Sequence, residues 1–268
     1  MDEYLEAKKL FSQDSSQNNH FNSLAFEYSK TELVDALIKK ENPMIFLLGD
    51  PGCGKSYLVN YIQNNIPKIK IAKYFTYPFF DEKEFLEILL TLAGPNISRN
   101  EYTIEKIITY LKKDFKELEY IILIDEAQHL TEDLVELIRI LSDQKIFQFV
   151  LAMHKKEGEY ILQKPQYHTR NPKKIYVNYL NDDEVLRYIQ DSLLENNLST
   201  VATEFKKSYV KMITKFTHKN FRAIKKILGA LFDIIVEANE RSLPKYSKIN
   251  KHTVTMSAID TGMIDVKS

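Results

Sequence analysis

Only one cysteine, Cys53, is present, so the chain cannot close an intramolecular disulfide and a reducing compartment suits it. No apolar stretch approaches the roughly 18 residues that a membrane-spanning helix needs, and the N-terminus has no signal-peptide pattern. Net charge is missing too, since 37 Lys and Arg balance 37 Asp and Glu. No internal repeat is visible. These absences disfavour a disulfide scaffold, an integral membrane protein and a repeat array, and they lead us to expect a cytoplasmic protein. Its 268 residues suffice for one large domain or a core domain with a small companion. The zero net charge conceals a gradient: residues 1–150 carry a net −7 and residues 201–268 a net +7. That asymmetry fits a solvated Lys-rich surface or a basic segment that meets an anionic partner.

What is present is concentrated in one run, Gly49-Asp50-Pro51-Gly52-Cys53-Gly54-Lys55-Ser56, followed by Tyr57. It fits G-x-x-x-x-G-K-[ST], lies after the apolar Met44–Leu48 and precedes a helix-like Tyr57–Ile62. Glycines let the backbone wrap an anion, so that N–H groups and the helix N-terminus face phosphate oxygens. Lys55 then reaches the β- and γ-phosphates, and the Ser56 hydroxyl ligates Mg²⁺. Cys53 reads as a small filler within this loop. A second run, Tyr120–Ile124, is wholly apolar and ends in Asp125 and Glu126. That pattern suits a central parallel strand whose tip enters a ligand crevice. Asp125 is expected to hold Mg²⁺ and Glu126 to polarise the water that attacks the γ-phosphate. The expected cofactors are therefore ATP and Mg²⁺, and the expected activity is hydrolysis. No guanine-reading N-K-x-D run is present, and the choice of adenine, hence of ATP, is implied only by the family resemblance given below.

Strand-like segments near 44–48, 70–76, 120–125, 146–152 and 174–178 alternate with helix-like segments at 55–65, 82–93, 101–114, 131–142 and 156–163. Ser29 is the expected cap of a helix over 30–40. Alternation of this kind predicts βαβ units and a parallel sheet. After Asn181 only helical patterns remain, at 182–196, 201–217, 220–240 and 252–264. The expected fold class is α/β: a five-stranded parallel P-loop core over 21–180, an all-helical lid over 181–268, and a flexible polar arm over 1–20.

The run Asp125-Glu126-Ala127-Gln128-His129-Leu130, together with the phosphate loop, resembles the Walker regions of AAA+ ATPases. The branch it resembles is that of general-secretion-pathway protein A and the transposition-helper ATPases, with initiator ATPases more distant. The resemblance also takes in Phe26-Glu27-Tyr28-Ser29, Phe147–Leu151 and Leu180–Glu184. It implies His154 at the sensor 1 position, although Asn, Thr or Gln is usual there. It implies Arg170 as an arginine finger acting on a neighbouring subunit's nucleotide, and Arg222 as sensor 2. Each has a plainer reading, as a rim histidine, an exposed loop arginine and a helix-packing stem. Two functions follow from the resemblance. One is an oligomeric ATPase that assembles or remodels a protein partner in bacterial secretion or DNA uptake, peripheral to the inner membrane through that partner. The other is a DNA-associated helper ATPase that binds DNA through its basic lid. In both, nucleotide is expected between copies of the chain, where the basic lid of one copy can face the acidic core of the next.

Overall fold

The computed structural model describes residues 2–11, 23–78, 81–92, 103–168, 170 and 172–265. In chain order it contains α1 (Asp2–Phe11), α2 (Leu24–Lys39), β1 (Met44–Gly49), α3 (Lys55–Asn65), β2 (Lys70–Phe75), α4 (Glu82–Leu92), α5 (Ile104–Asp114) and β3 (Tyr120–Ile124). A 3₁₀ turn (Ala127–His129) follows, then α6 (Glu132–Asp143), β4 (Phe147–His154), α7 (Lys155–Leu162), α8 (Pro165–His168) and β5 (Lys173–Tyr176). The remainder is helical: α9 (Asp182–Glu195), α10 (Ser199–Glu204), α11 (Lys207–Phe216), α12 (Phe221–Glu240) and α13 (Lys251–Asp260). The chain divides into two units. A core unit holds Tyr28–Asp50 and Gly54–Val177, and a helical unit holds Met1–Glu27, Pro51–Cys53 and Asn178–Ser268.

In the core unit five parallel strands lie in the order β2-β3-β4-β1-β5. Every residue of β1 is buried, as are all but one each in β3 and β4, whereas the edge strands β2 and β5 alternate with exposed positions. A strand covered on both faces has no position for polar side chains, which explains the unbroken apolar runs that made it readable. Phe46, Ile122, Phe149 and Leu151 stand at the centre of that core. Thr103 and Thr131 cap α5 and α6 through their hydroxyl oxygens, as N-cap residues do.

The helical unit has its own apolar core, built from α9 to α13 and, against expectation, from α1. Residues 2–11 of the expected flexible arm form a helix, and residues 12–20 of it lie outside the described residues. Tyr4, Ala7 and Phe11 repeat at helical spacing, and Phe11 stacks on Phe232 of α12 with ring centroids 5.8 Å apart. The polar run after Phe11 dominates the composition of the first twenty residues and masks this short stripe. Two more expectations need correction. Ser29 is not a cap: α2 begins at Leu24, Ser23 Oγ accepts from the Phe26 N–H, and the Ser29 hydroxyl donates to the Tyr176 carbonyl. The helix expected over 201–217 is two, because the chain bends at Phe205 to bury its ring.

The gradient of charge does not survive folding. The helical unit gathers 16 Lys and Arg against 16 Asp and Glu, because residues 1–27, at a net −3, and residues 178–200, at a net −4, join the basic residues 201–268. Both units are therefore neutral, and a basic lid facing an acidic core is not what the chain builds. The positive charge is local. No acidic residue occurs between Phe205 and Phe232, and Lys206, Lys207, Lys211, Lys215, Lys219, Arg222 and Lys226 in that stretch are all exposed.

Phe11→Ala should cost the helical unit about 3–5 kcal/mol, the usual loss for a buried aromatic. Denaturant unfolding checks this, and a loss below about 1 kcal/mol would mean that α1 is not docked.

Candidate functional site

Polar groups collect where the buried strands end. Gly49 closes β1 and pairs with His154 at the end of β4, while Asp125 follows β3 and its N–H donates to the Phe75 carbonyl at the end of β2. One edge of the sheet thus carries Gly49, Asp50, Asp125, Glu126 and His154. Lys55 and Ser56 open α3 just after Gly54, whose φ of +104° lies in the left-handed region that glycine tolerates. A Cβ at Gly54 would meet nothing within 4 Å, so this glycine answers to backbone conformation and open space rather than crowding.

Lys55 is buried, and its Nζ donates to the carbonyls of Gly49 (2.9 Å) and Asp50 (3.1 Å). An ammonium has three N–H donors, so one is left over for an anion at the helix N-terminus. Asp125 is 4% exposed. Burial pushes its carboxyl above the ordinary aspartate range, opposed by hydrogen bonds from the Ser56 hydroxyl and the Glu126 N–H and by the nearby Lys55 charge. The Ser56–Asp125 pair presents two oxygens of the kind that hard cations take. Among the described residues no group of three or more His, Cys, Asp or Glu side chains could hold a metal. Mg²⁺ binds through one or two protein oxygens and completes its shell with phosphate oxygens and water. The residues present therefore fit Mg²⁺ with a nucleotide triphosphate.

Glu126 sits at φ +50°, a left-handed conformation uncommon for a residue with a side chain. Its carboxylate accepts from the Gln128 amide, whose oxygen accepts from the His154 N–H at 3.3 Å. Gln128 therefore links the tip of β3 to the tip of β4. The His154 imidazole stands 3.9 Å from the Glu157 carboxylate. Two contributors escaped the sequence reading: Gln128, quoted only as part of a motif, and Tyr74 on β2. Burial, and then the Asp125 carboxylate to which it donates, push the Tyr74 phenol up to about 12. A tyrosine near the end of an edge strand, level with the acidic tip of its neighbour, is the signal that could have found it.

Arg170 lies elsewhere. It precedes β5 at the edge where the strands begin, forks onto Asp143 at 2.9–3.2 Å and donates to the Gln166 carbonyl. Strands of this length separate the two edges by roughly 15–25 Å, so Arg170 cannot reach the nucleotide edge of its own chain. Arg222, exposed in the first turn of α12, belongs to the helical unit, as do Pro51, Gly52 and Cys53.

The comparisons with known proteins bear on this geometry. Residues 38–161 match the family model described as an AAA domain, a span that includes the phosphate loop, Asp125, Glu126 and His154. Residues 38–161 form an AAA domain. No curated protein matches it. Among solved structures, the Walker-type ATPase PABY2304 of Pyrococcus abyssi aligns with 94% of this chain and 76% of its own at a TM-score of 0.58 and 14% identity. Drosophila ORC bound to DNA aligns with 98% of this chain and 66% of its own, at 0.61 and 12%. The Thermotoga maritima RuvB Holliday junction branch migration motor aligns with 95% and 76%, at 0.53 and 18%. At such identities these likenesses speak to fold. The chain spans just under two thirds of the Drosophila ORC chain.

The buried carboxyl of the AAA+ site yields a pH prediction. Because folding raises the Asp125 pKa, the folded state binds its proton more tightly, and stability is lost as pH rises from the unfolded through the folded value. Asp125→Asn should therefore raise the melting temperature of nucleotide-free protein at pH 7. The gain should vanish at pH 3, and Mg²⁺-dependent nucleotide binding should be lost. A melting temperature for the variant at or below wild type at pH 7 would contradict the assigned burial cost.

Proposed function

We propose that the chain is a Mg²⁺-dependent ATPase that works as an oligomer, with nucleotide between copies, and couples ATP turnover to the assembly or remodelling of a partner. The observation that carries this reading is the convergence of Lys55, Ser56, Asp125 and Glu126 at one sheet edge, with Arg170 held at the other. Mg²⁺, when bound, supplies positive charge to the β- and γ-phosphate oxygens. Ser56 and Asp125 hold it, and Lys55 offers its remaining N–H to the triphosphate. Glu126, tethered by Gln128, orients the attacking water and accepts a hydrogen bond from it. His154, as sensor 1, stands at the strand tip beside Gly49, and Arg222 serves as sensor 2. Arg170 exchanges Asp143 for the triphosphate of a neighbouring copy. The bidentate Asp143 pair keeps the guanidinium ordered before that exchange, which reduces the entropy lost on engagement.

Lys55→Ala should not bind nucleotide, and Glu126→Gln should bind it but hydrolyse at least roughly a hundredfold more slowly. Arg170→Ala alone should also be nearly inactive, and mixing it with Glu126→Gln should restore activity, because some interfaces then pair an intact Arg170 with an intact Glu126. Mixtures that oligomerise without exceeding either variant alone would remove Arg170 from the mechanism.

Of the two partner classes, a protein assembly of the secretion or DNA-uptake kind, with a peripheral place at the inner membrane, rests on the sequence resemblance. No described helix is long and apolar enough to cross a membrane. A DNA partner has a surface observation in its favour. Seven exposed cations fall on α11, the following turn and the start of α12 with no acidic residue among them, although Lys207 is spent on Asp183 at 2.6 Å. The structures it resembles include one titled as bound to DNA and one titled as a Holliday junction motor. Phosphate contacts give log affinity a slope against log salt of about −0.9 per contact. Replacing Lys211, Lys215 and Lys219 together by Ala should weaken duplex binding and make that slope shallower by about 2–3. An unchanged slope, or no duplex binding by wild type at 50 mM salt, would favour the protein partner.

A further inference from the structure

The loop tip Pro51–Cys53 clusters with the helical unit, and the contacts that hold it there are specific. Asn220 is the N-cap of α12: its Oδ1 accepts from the N–H groups of Arg222 (3.0 Å) and Ala223 (3.2 Å). Its amide nitrogen faces the other way and donates to the Pro51 carbonyl at 3.0 Å. The Tyr179 hydroxyl donates to that same carbonyl at 3.0 Å, and the Phe221 N–H donates to the Gly52 carbonyl at 3.2 Å. Asn220 also fits against Gly52 so closely that a Cβ there would fall 2.3–2.6 Å from its side-chain atoms. Gly52 is thus demanded twice, once by this contact and once by its φ of +76°.

We propose that Asn220, assisted by Tyr179, is a positioning residue for nucleotide phosphate: it fixes the carbonyls of the loop tip so that the loop's N–H groups are aimed before nucleotide arrives. The reasoning is geometric. In a planar trans peptide the C=O of one residue and the N–H of the next point in opposite directions. Anchoring the Pro51 carbonyl therefore sets the Gly52 N–H, and anchoring the Gly52 carbonyl sets the Cys53 N–H, each pointing away from α12. Those two N–H groups belong to the stretch that a phosphate-binding loop turns on its ligand. The start of α12 meanwhile spends its own N–H groups at Phe221, Arg222 and Ala223 on Gly52 and Asn220, so it is not itself an anion site. Asn220 suits the double task because a single planar amide offers an acceptor to its helix and a donor to the loop. This inference rests on the nucleotide-binding reading given above.

Serine caps helices about as well as asparagine but is too short to donate to Pro51, so Asn220→Ser separates the cap from the loop contact. We expect it to melt within a degree or two of wild type and to bind a fluorescent ATP analogue with Mg²⁺ roughly three- to tenfold more weakly, the worth of one hydrogen bond. KM should rise by the same factor with kcat little changed. In nucleotide-free protein, alkylation of Cys53, the only thiol, should also become faster as the tip loosens. Tyr179→Phe, which leaves the cap intact, should act in the same direction and keeps the question answerable if Asn220→Ser folds poorly. Wild type and Lys55→Ala run in parallel. A wild type that binds no nucleotide overturns the nucleotide reading and this inference with it. Wild-type binding that is lost in Lys55→Ala but unchanged in both Asn220→Ser and Tyr179→Phe, with unchanged Cys53 labelling, overturns this inference alone.

Discussion

Three strands covered on both faces are the constraint on which the rest of the core unit depends. Because β1, β3 and β4 meet apolar side chains above and below, polar chemistry can begin only where they end. The parallel arrangement sends all their C-terminal ends to one edge, so the first polar groups to leave each strand meet there. Asp125 is the clearest case. Its carboxylate is too deeply buried to be comfortable alone, and it is tolerated because Ser56, Tyr74 and the Glu126 N–H surround it with donors. That discomfort fits the proposed role, since a divalent cation would compensate a carboxylate short of solvent.

The phosphate loop is held in two halves by different means. At its base Lys55 bonds back to Gly49 and Asp50, so the cation and the carbonyls that steady it travel together within the core unit. At its tip the carbonyls of Pro51 and Gly52 are taken up inside the helical unit. Loop carbonyls near bound phosphate are an electrostatic liability, and giving each a donor leaves the N–H groups to define the field. The two glycines of the loop with positive φ, Gly52 and Gly54, divide along the same line. Gly54 has open space around it and needs only conformational freedom, whereas Gly52 is also crowded by Asn220.

Much of the core unit could be read from the chain because its signals are local. Buried central strands give unbroken apolar runs, and the loop motif spans eight consecutive residues, so the five strands and the elements around Gly49–Ser56 fall within a few residues of expectation. The misses share a different cause. The first helix has a stripe of only Tyr4, Ala7 and Phe11, and it is worth forming only because Phe232, more than two hundred positions away, receives Phe11. Gln128 and Tyr74 gain their roles from neighbours on other strands, and Asn220 from a loop 169 positions earlier. A sequence displays a residue's helix cap but not what its other atom touches. The bend at Phe205 carries no breaker and is set by the core that takes its ring.

Charge shows the same limit from the opposite side. The gradient along the chain suggested a basic lid on one copy against the acidic core of the next. Folding joins residues 1–27 and 178–200, both net acidic, to the helical unit and cancels its net charge. At physiological salt the screening length is about 8 Å, so a net charge summed over a unit matters less than which charges lie within that distance of one another. What remains is one acid-free stretch from Phe205 to Phe232. Near its middle, Lys219 and Arg222 flank Asn220, the residue that holds the loop tip. Any polyanion drawn to that stretch would thus sit within a few residues of the contact that aims the loop. The cationic stretch and the proposed anchor of the loop tip thus meet at the start of α12.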